Sequence, residues 1–212
     1  MVTSGPVDRE QFHKELIAEF NEIVAKFDTY KTVTEDKAKG LIAKQFPRDG
    51  GHIGICCKYV SKRLTMDHFT EYHDNHEKYM PALYQVPVER LPDTQGFETF
   101  FFKMPAPMMD DRAYISVFFR EKLGDKCMIY GESTRNTEAL REQFAAKFNK
   151  TVVMDVPLAL QKVEVLADGL HLTTVSGFRL NGMVPTFIEN MAVKEEANVP
   201  LAFEEYMVDG TI

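Results

Sequence analysis

The sequence contains no tryptophan, only three cysteines, no run of lysines or arginines, and no apolar stretch near the length of a membrane span. Each shortage excludes something. A helix that crosses a bilayer needs about 20 consecutive apolar residues, so no spanning helix is expected. Without a basic patch there is no footprint for nucleic acid and no polybasic anchor for constitutive attachment to an anionic membrane. The formal net charge of −7 points the same way. Met1 to Val7 shows no basic start followed by an apolar run, so no secretory signal is expected. Cys56, Cys57 and Cys127 are odd in number, and adjacent cysteines have poor geometry for a mutual disulfide. Free thiols in a reducing compartment follow, hence a cytoplasmic protein. No P-loop, dinucleotide fingerprint or Ser/His/Asp set is found, so neither a catalytic set nor a cofactor is expected.

What is abundant is Phe (16), Met (11) and Tyr (8), within a hydrophobic content of 44% and a charged content of 27% over 212 residues. That suffices for one domain over residues 1–212 with a real core. Met fills irregular space and suits an adaptable pocket as well as a core. Phe12, Leu16, Phe20, Ile23, Val24 and Phe27 recur at helical spacing behind a cap at Asp8 or Ser4. A weak strand region spans residues 30–46, Asp49-Gly50-Gly51 signals a turn, and residues 52–60 read as a strand. Short helices follow over 66–73 (capped by Thr65) and 75–80 (capped by Asp74, stopped near Pro81), then a loop punctuated by Pro87 and Pro92. Strands are expected over 97–104, 112–122 and 126–133, the last two joined by a Gly124-Asp125 hairpin. An amphipathic segment capped by Asn136 carries Leu140, Phe144 and Phe148. A long strand over 151–166, bulged or at an edge at Pro157, turns at Asp168-Gly169 into a strand over 170–180. Hairpin-linked strands with helices at the ends indicate α+β rather than a parallel sheet.

The chain then runs Asn181-Gly182-Met183-Val184-Pro185 into a closing helix expected from Pro185 to about Met207. Pro185 suits a first helical position, and Pro200 is expected to kink or break the helix. Val184, Phe187, Ile188 and Met191 form an apolar stripe. The strand before it alternates, with Leu170, Leu172, Thr174, Ser176, Phe178 and Leu180 on one face. One sheet face is built to be covered, and the helix to cover it.

Two segments resemble the START (StAR-related lipid transfer) domains of the helix-grip superfamily. Leu180-x-Gly182-x-Val184-Pro185-x-x-Ile188-x-Asn190 is similar to that family's junction of strand and last helix. Lys103-Met104-Pro105-Ala106-Pro107-Met108-x-x-Asp111-Arg112-x-Tyr114-Ile115-Ser116-Val117 is similar to its proline-containing turn and following strand. The element order fits over roughly residues 8–208. The resemblance implies a curved antiparallel sheet wrapped around a long C-terminal helix, with a cavity that holds one lipid or sterol. Transient membrane contact and a monomer are expected.

Matching the strand residue by residue turns Tyr114, Ser116, Phe118 and Arg120 inward. Sterol-binding relatives often carry an inward Arg where Phe118 stands, which argues against a sterol. Arg120 is a substitute only if it is not simply an exposed strand-end residue. Phe100, Phe102, Tyr130, Thr174, Phe178, Val184, Phe187, Ile188 and Met191 complete the expected ligand-binding set, and the alternative is that they fill a core. His68 and His73 would lie about 140° apart on a helix. Only His73 and His76 could share a face, so solvated helix residues are expected and no metal. Of Cys56 and Cys57, which point to opposite sides, one is expected buried and one partly exposed. Asp110-Asp111 reads as a structural turn. The segment over 136–150 is either a surface helix on the sheet edge or a lid. The function expected is non-enzymatic binding and transfer of a phospholipid, fatty acid or sterol. The alternatives are a superfamily enzyme of aromatase/cyclase type, disfavoured because the inward residues look mostly apolar, and a ligand-free regulatory interaction module.

Overall fold

The computed structural model describes residues 8–48, 52–84, 86–94, 96–106 and 109–210. Ser4, the Asp49-Gly50-Gly51 turn, and Pro107 and Met108 of the proline-containing turn lie outside the described residues. Asp8 caps α1 (Arg9–Ala25) by accepting from the Gln11 N–H at 3.1 Å. Then come β1 (Lys31–Asp36), β2 (Leu41–Phe46) and β3 (Ile53–Ser61), so the weak region is a hairpin that turns at Gly40 with φ of 71°. Helices α2 (Met66–Asp74) and α3 (His76–Tyr84) follow, and α3 runs through Pro81 instead of stopping there. The punctuated loop is a strand, β4 (Val88–Thr94). It lies at the sheet edge, where the register with its neighbour slips between Leu91 and Thr94. An edge strand tolerates Pro92 because one side of such a strand needs no ladder donors.

The remaining elements are β5 (Phe97–Met104), β6 (Asp111–Gly124), β7 (Cys127–Ser133), α4 (Glu138–Gln143), β8 (Thr151–Val153), β9 (Asp155–Leu166), β10 (Gly169–Arg179) and α5 (Thr186–Glu204). The expected strand over 151–166 is split at Met154, and β8 pairs in parallel with the start of β6. All other pairs are antiparallel, in the order β1-β2-β3-β10-β9-β7-β6-β5-β4. The β9–β10 register shifts between Gly177 and Arg179, beside Pro157, which is the expected bulge.

Alternation along the strands divides the core into two layers. On the outer face, α1 packs Phe12, Leu16 and Phe20 over Cys56, Val117, Phe119, Leu158 and Leu160. Leu140, Phe144 and Phe148 pack on the same side against Phe101 and Ile115. The 136–150 segment therefore lies on the face turned away from the inner layer, which is not the place of a lid. On the inner face, Tyr114, Phe118, Tyr130, Leu172 and Phe178 meet α2, α3 and α5. Because both faces of β3 are covered, Cys56 and Cys57 are both buried, contrary to the expectation that one would be partly exposed. Burial pushes the Cys56 thiol up to about 12 and raises Cys57 further still, so neither is a ready nucleophile.

The two segments that resemble START sequence meet in space. Arg112 is buried, and its guanidinium donates to the carbonyls of Leu180 at 3.1 Å, Asn181 at 2.9 Å and Asp110. Asn181 and Gly182 take left-handed φ of 52° and 67°. The Asn181 amide is held by Val153 O and Asp155 Oδ2, both at 2.8 Å. This junction aims α5 back over the sheet. Pro185 occupies the cap position just before Thr186, and its carbonyl accepts from the Ile188 N–H at 2.9 Å. Pro200 lies inside α5 without ending it, and the helix loosens into a π turn only at Glu205–Asp209. Among the described residues no helix is long and apolar enough to cross a membrane.

Candidate ligand cavity

Helix α5 rests on β1, β2 and β3. Its other flank stands away from the central strands, and α2–α3 close the space from the far side. The result is a cavity of about 730 Å³. Such a volume is in the range that encloses one small ligand, about 300–1,000 Å³.

Of the residues expected to bind ligand, Phe102, Tyr114, Phe118, Tyr130, Thr174 and Phe178 line this cavity. Phe100 and Ser116 are buried on the same face beside it. Phe100 packs edge-on to Phe118 with ring centroids 5.1 Å apart. Arg120 turns outward to an ion pair with Asp74. Val184, Phe187, Ile188 and Met191 do not line the cavity. Phe187 is 53% and Met191 47% exposed. The reason is position along the helix. The α5 residues that line the cavity fall between Ala192 and Ala202, and the Phe187–Met191 stripe precedes them, turned away from the face through Val193, Ala197, Pro200 and Glu204 that rests on the sheet. Sequence periodicity found a true apolar stripe, but one that stops short of the cavity.

The cavity also holds titratable groups that were not expected there. His73 and His76 are not solvated. The helix break at Asn75 turns both rings inward, and His73 Nδ1 lies 3.0 Å from His76 Nε2. The His73 ring stacks flat on Tyr130, with centroids 3.9 Å apart and planes within 3°. Burial drives His73 well below its ordinary pKa, with His76 adding to the effect. Burial, with Arg90 second, pushes His76 down to about 4. Both are therefore neutral at pH 7, one nitrogen donating to the other. His73 Nε2 and His76 Nδ1 remain without partners.

Glu132 on β7 and Glu196 on α5 face the same cavity. Burial first, then the charge of Glu196, pushes the Glu132 carboxyl up to about 8. Glu196 is raised as well, by burial, with Ser176 partly offsetting. Glu132 follows Tyr130 by two positions, so strand alternation alone turns it inward; that signal was present in the sequence. The histidines carried no equivalent signal, because their direction depends on where α2 ends. Among the described residues no group of three or more His, Cys, Asp or Glu side chains could hold a metal ion.

At the far end of α5 the polar contacts are of a different kind. Tyr59 Oη donates to Glu204 Oε2 at 2.7 Å, the Ser61 hydroxyl donates to the same oxygen, and Arg63 Nη1 stands 3.7 Å from Glu204 Oε1. The Ser61 oxygen in turn accepts from the Leu64 N–H at 2.8 Å. This cluster latches the C-terminal half of α5 to β3.

No protein-family model matches the sequence, and no curated protein matches it. Solved structures do match in shape. Human StAR-related lipid transfer protein 5 superposes with a TM-score of 0.70 over 95% of this chain and 98% of its own, at 12% identity. Human STARD10 gives 0.63 over 91% and 80%, at 11% identity. A STAR-related lipid transfer protein from Xanthomonas axonopodis gives 0.59 over 85% and 97%, at 14% identity. The chain thus has the helix-grip fold of START domains, as its two sequence segments implied.

Proposed function

We propose that the whole chain is one lipid-binding unit. It encloses a single hydrophobic ligand between the inner face of the sheet and α5, and carries it without altering it. The observation that carries this is the cavity itself, about 730 Å³ and walled by Phe102, Tyr114, Phe118, Tyr130, Phe178 and α5. Each ligand methylene moved from water to such walls gains about 0.8 kcal/mol, much what it gains in a bilayer, so a lipid can exchange between the two at little net cost. The size favours one acyl chain or a compact ring system over a two-chain phospholipid. Phe118, in the cavity wall where sterol-binding relatives often carry Arg, favours the acyl chain over a sterol. The ridge of Phe187 and Met191 supports brief contact with a membrane surface by a monomer. The unpaired thiols support work in the reducing cytosol.

A second function, acid–base chemistry on a hydrophobic substrate, is favoured by one observation: His73, His76, Glu132 and Glu196 all reach the cavity. One experiment tests both. The protein is incubated with vesicles of mixed lipid extract, separated by sedimentation, and its bound fraction identified by mass spectrometry. Carriage predicts stoichiometric recovery of an unchanged lipid. Recovery of a modified molecule would establish the enzyme, and recovery of nothing would overturn both.

A further inference from the structure

Glu132 and Glu196 are the cavity's unusual feature. Strand register sets Phe118, Glu132, Ala159 and Ser176 side by side across β6, β7, β9 and β10. Glu132 is therefore an acid in the middle of the inner wall, not at its rim. Its Oε2 has no accessible surface and no hydrogen-bond partner, and the same holds for Ser116 Oγ nearby on β6. Glu196 reaches in from α5, and Ser176 beside its carboxyl group partly offsets the effect of burial on it.

An acid buried this way is ordinarily matched by a buried cation. Among the described residues that line the cavity, the only Lys or Arg is Lys194, which is exposed. Arg112 is buried but bound to the carbonyls of Leu180, Asn181 and Asp110. Among the described lining residues the interior thus offers two acids and no buried cation to neutralise them or to pair with a phosphate or a ligand carboxylate. An ammonium group has three N–H donors and no acceptor, which complements Glu132 Oε2, the Glu196 carboxylate and Ser116 Oγ.

We propose that Glu132 and Glu196 form the headgroup site for an ammonium-bearing, single-chain amphiphile. This rests on the cavity being a ligand site. It goes further by naming the headgroup. In the empty protein the pair retains a proton on Glu132, which is consistent with its raised pKa. The ligand's positive charge takes over that proton's role.

Calorimetric titration with dodecylamine, dodecanol and dodecanoic acid at pH 7, below their aggregation limits, tests this. The amine should bind at least tenfold more tightly than the alcohol, and the acid least. In Glu132→Gln and Glu196→Gln the ratio of amine to alcohol affinity should fall towards one. A thermal melt confirms that each variant is folded, and the second variant serves if the first is not. Equal binding of amine and alcohol, or preference for the acid, would overturn the headgroup site while leaving the cavity as a ligand site. Binding of none of the three would overturn both.

Discussion

The two halves of α5 are built on opposite principles. From Val193 to Glu204 the helix presses Ala197, Pro200 and Phe203 into the inner layer and is latched through Tyr59, Ser61 and Arg63. From Thr186 to Met191 it turns Phe187 and Met191 outward and holds little beneath it. One helix is thus packed and latched over its C-terminal half, which also carries the cavity-lining residues, and is exposed over its first turns. On the proposed role as a carrier, a gate must open without unfolding the protein, and the exposed first turns of α5 are where its packing is weakest.

The sharpest way to break this contrast is to truncate one aromatic in each half. Phe203 is buried against Phe69, with ring centroids 4.6 Å apart. Phe203→Ala should cost about 3–5 kcal/mol and lower the melting temperature by roughly 6–20 °C, at about 2–4 °C per kcal/mol. Phe187→Ala should stay within about 0.5 kcal/mol. Denaturant melts of the pair measure both, and equal losses would show that the two halves do not differ.

The cavity wall has its own pH signature. Glu132 is raised in the folded protein from its ordinary 4.5 to about 8. The unfolded chain therefore releases this proton first as pH rises, and stability falls from about pH 5 to pH 8. Glu132→Gln should remove that fall, making the variant more stable than wild type at pH 8 by about 2–4 kcal/mol and nearly equal at pH 5. The histidines work from the other side. They are lowered in the fold, so they lose stability as pH drops below about 6.5, in Glu132→Gln as in wild type. Melting temperatures across pH 4–9 separate the two effects.

A smaller effect is expected at the latch. Tyr59→Phe removes one hydrogen bond to Glu204 and should cost about 1–2 kcal/mol. Amide exchange should speed up over residues 197–204 and remain as fast as before over 186–191. The smallest effect on stability belongs to the ridge. Met191→Ser with Phe187→Ser should leave the melting temperature within about 2 °C, yet reduce co-sedimentation with zwitterionic vesicles several-fold. Unchanged co-sedimentation would remove this ridge as the membrane contact.

Much of this architecture was legible because strand alternation is a strict code. Tyr114, Phe118, Tyr130, Thr174 and Phe178 face the cavity because their parity requires it, and the junction at Asn181-Gly182 could be read from its turn residues. What failed were positions decided by rotation or by a neighbour. The apolar stripe at Phe187 and Met191 is genuine, but nothing local says which side of a helix meets the sheet. His73 and His76 turn inward because α2 ends at Asp74 and α3 begins two residues later. Strand β4 was hidden by Pro92, which is tolerable only once the strand is known to be an edge. The inner wall was read as apolar although Glu132 shares the parity of Tyr130. The charge drew attention to the surface, whereas the register placed it inside.

The central claim is that a ligand occupies the space between the sheet and α5. Ala159 lies on β9 in the middle of that wall, and Ala159→Trp would fill the cavity from within. Native mass spectrometry of both proteins after gentle purification from the same lipid-rich lysate tests the claim directly. The account predicts a one-to-one adduct of lipid mass on the wild type and none on the folded Trp variant. The same adduct on both, or none on the wild type even after incubation with lipid, would contradict it.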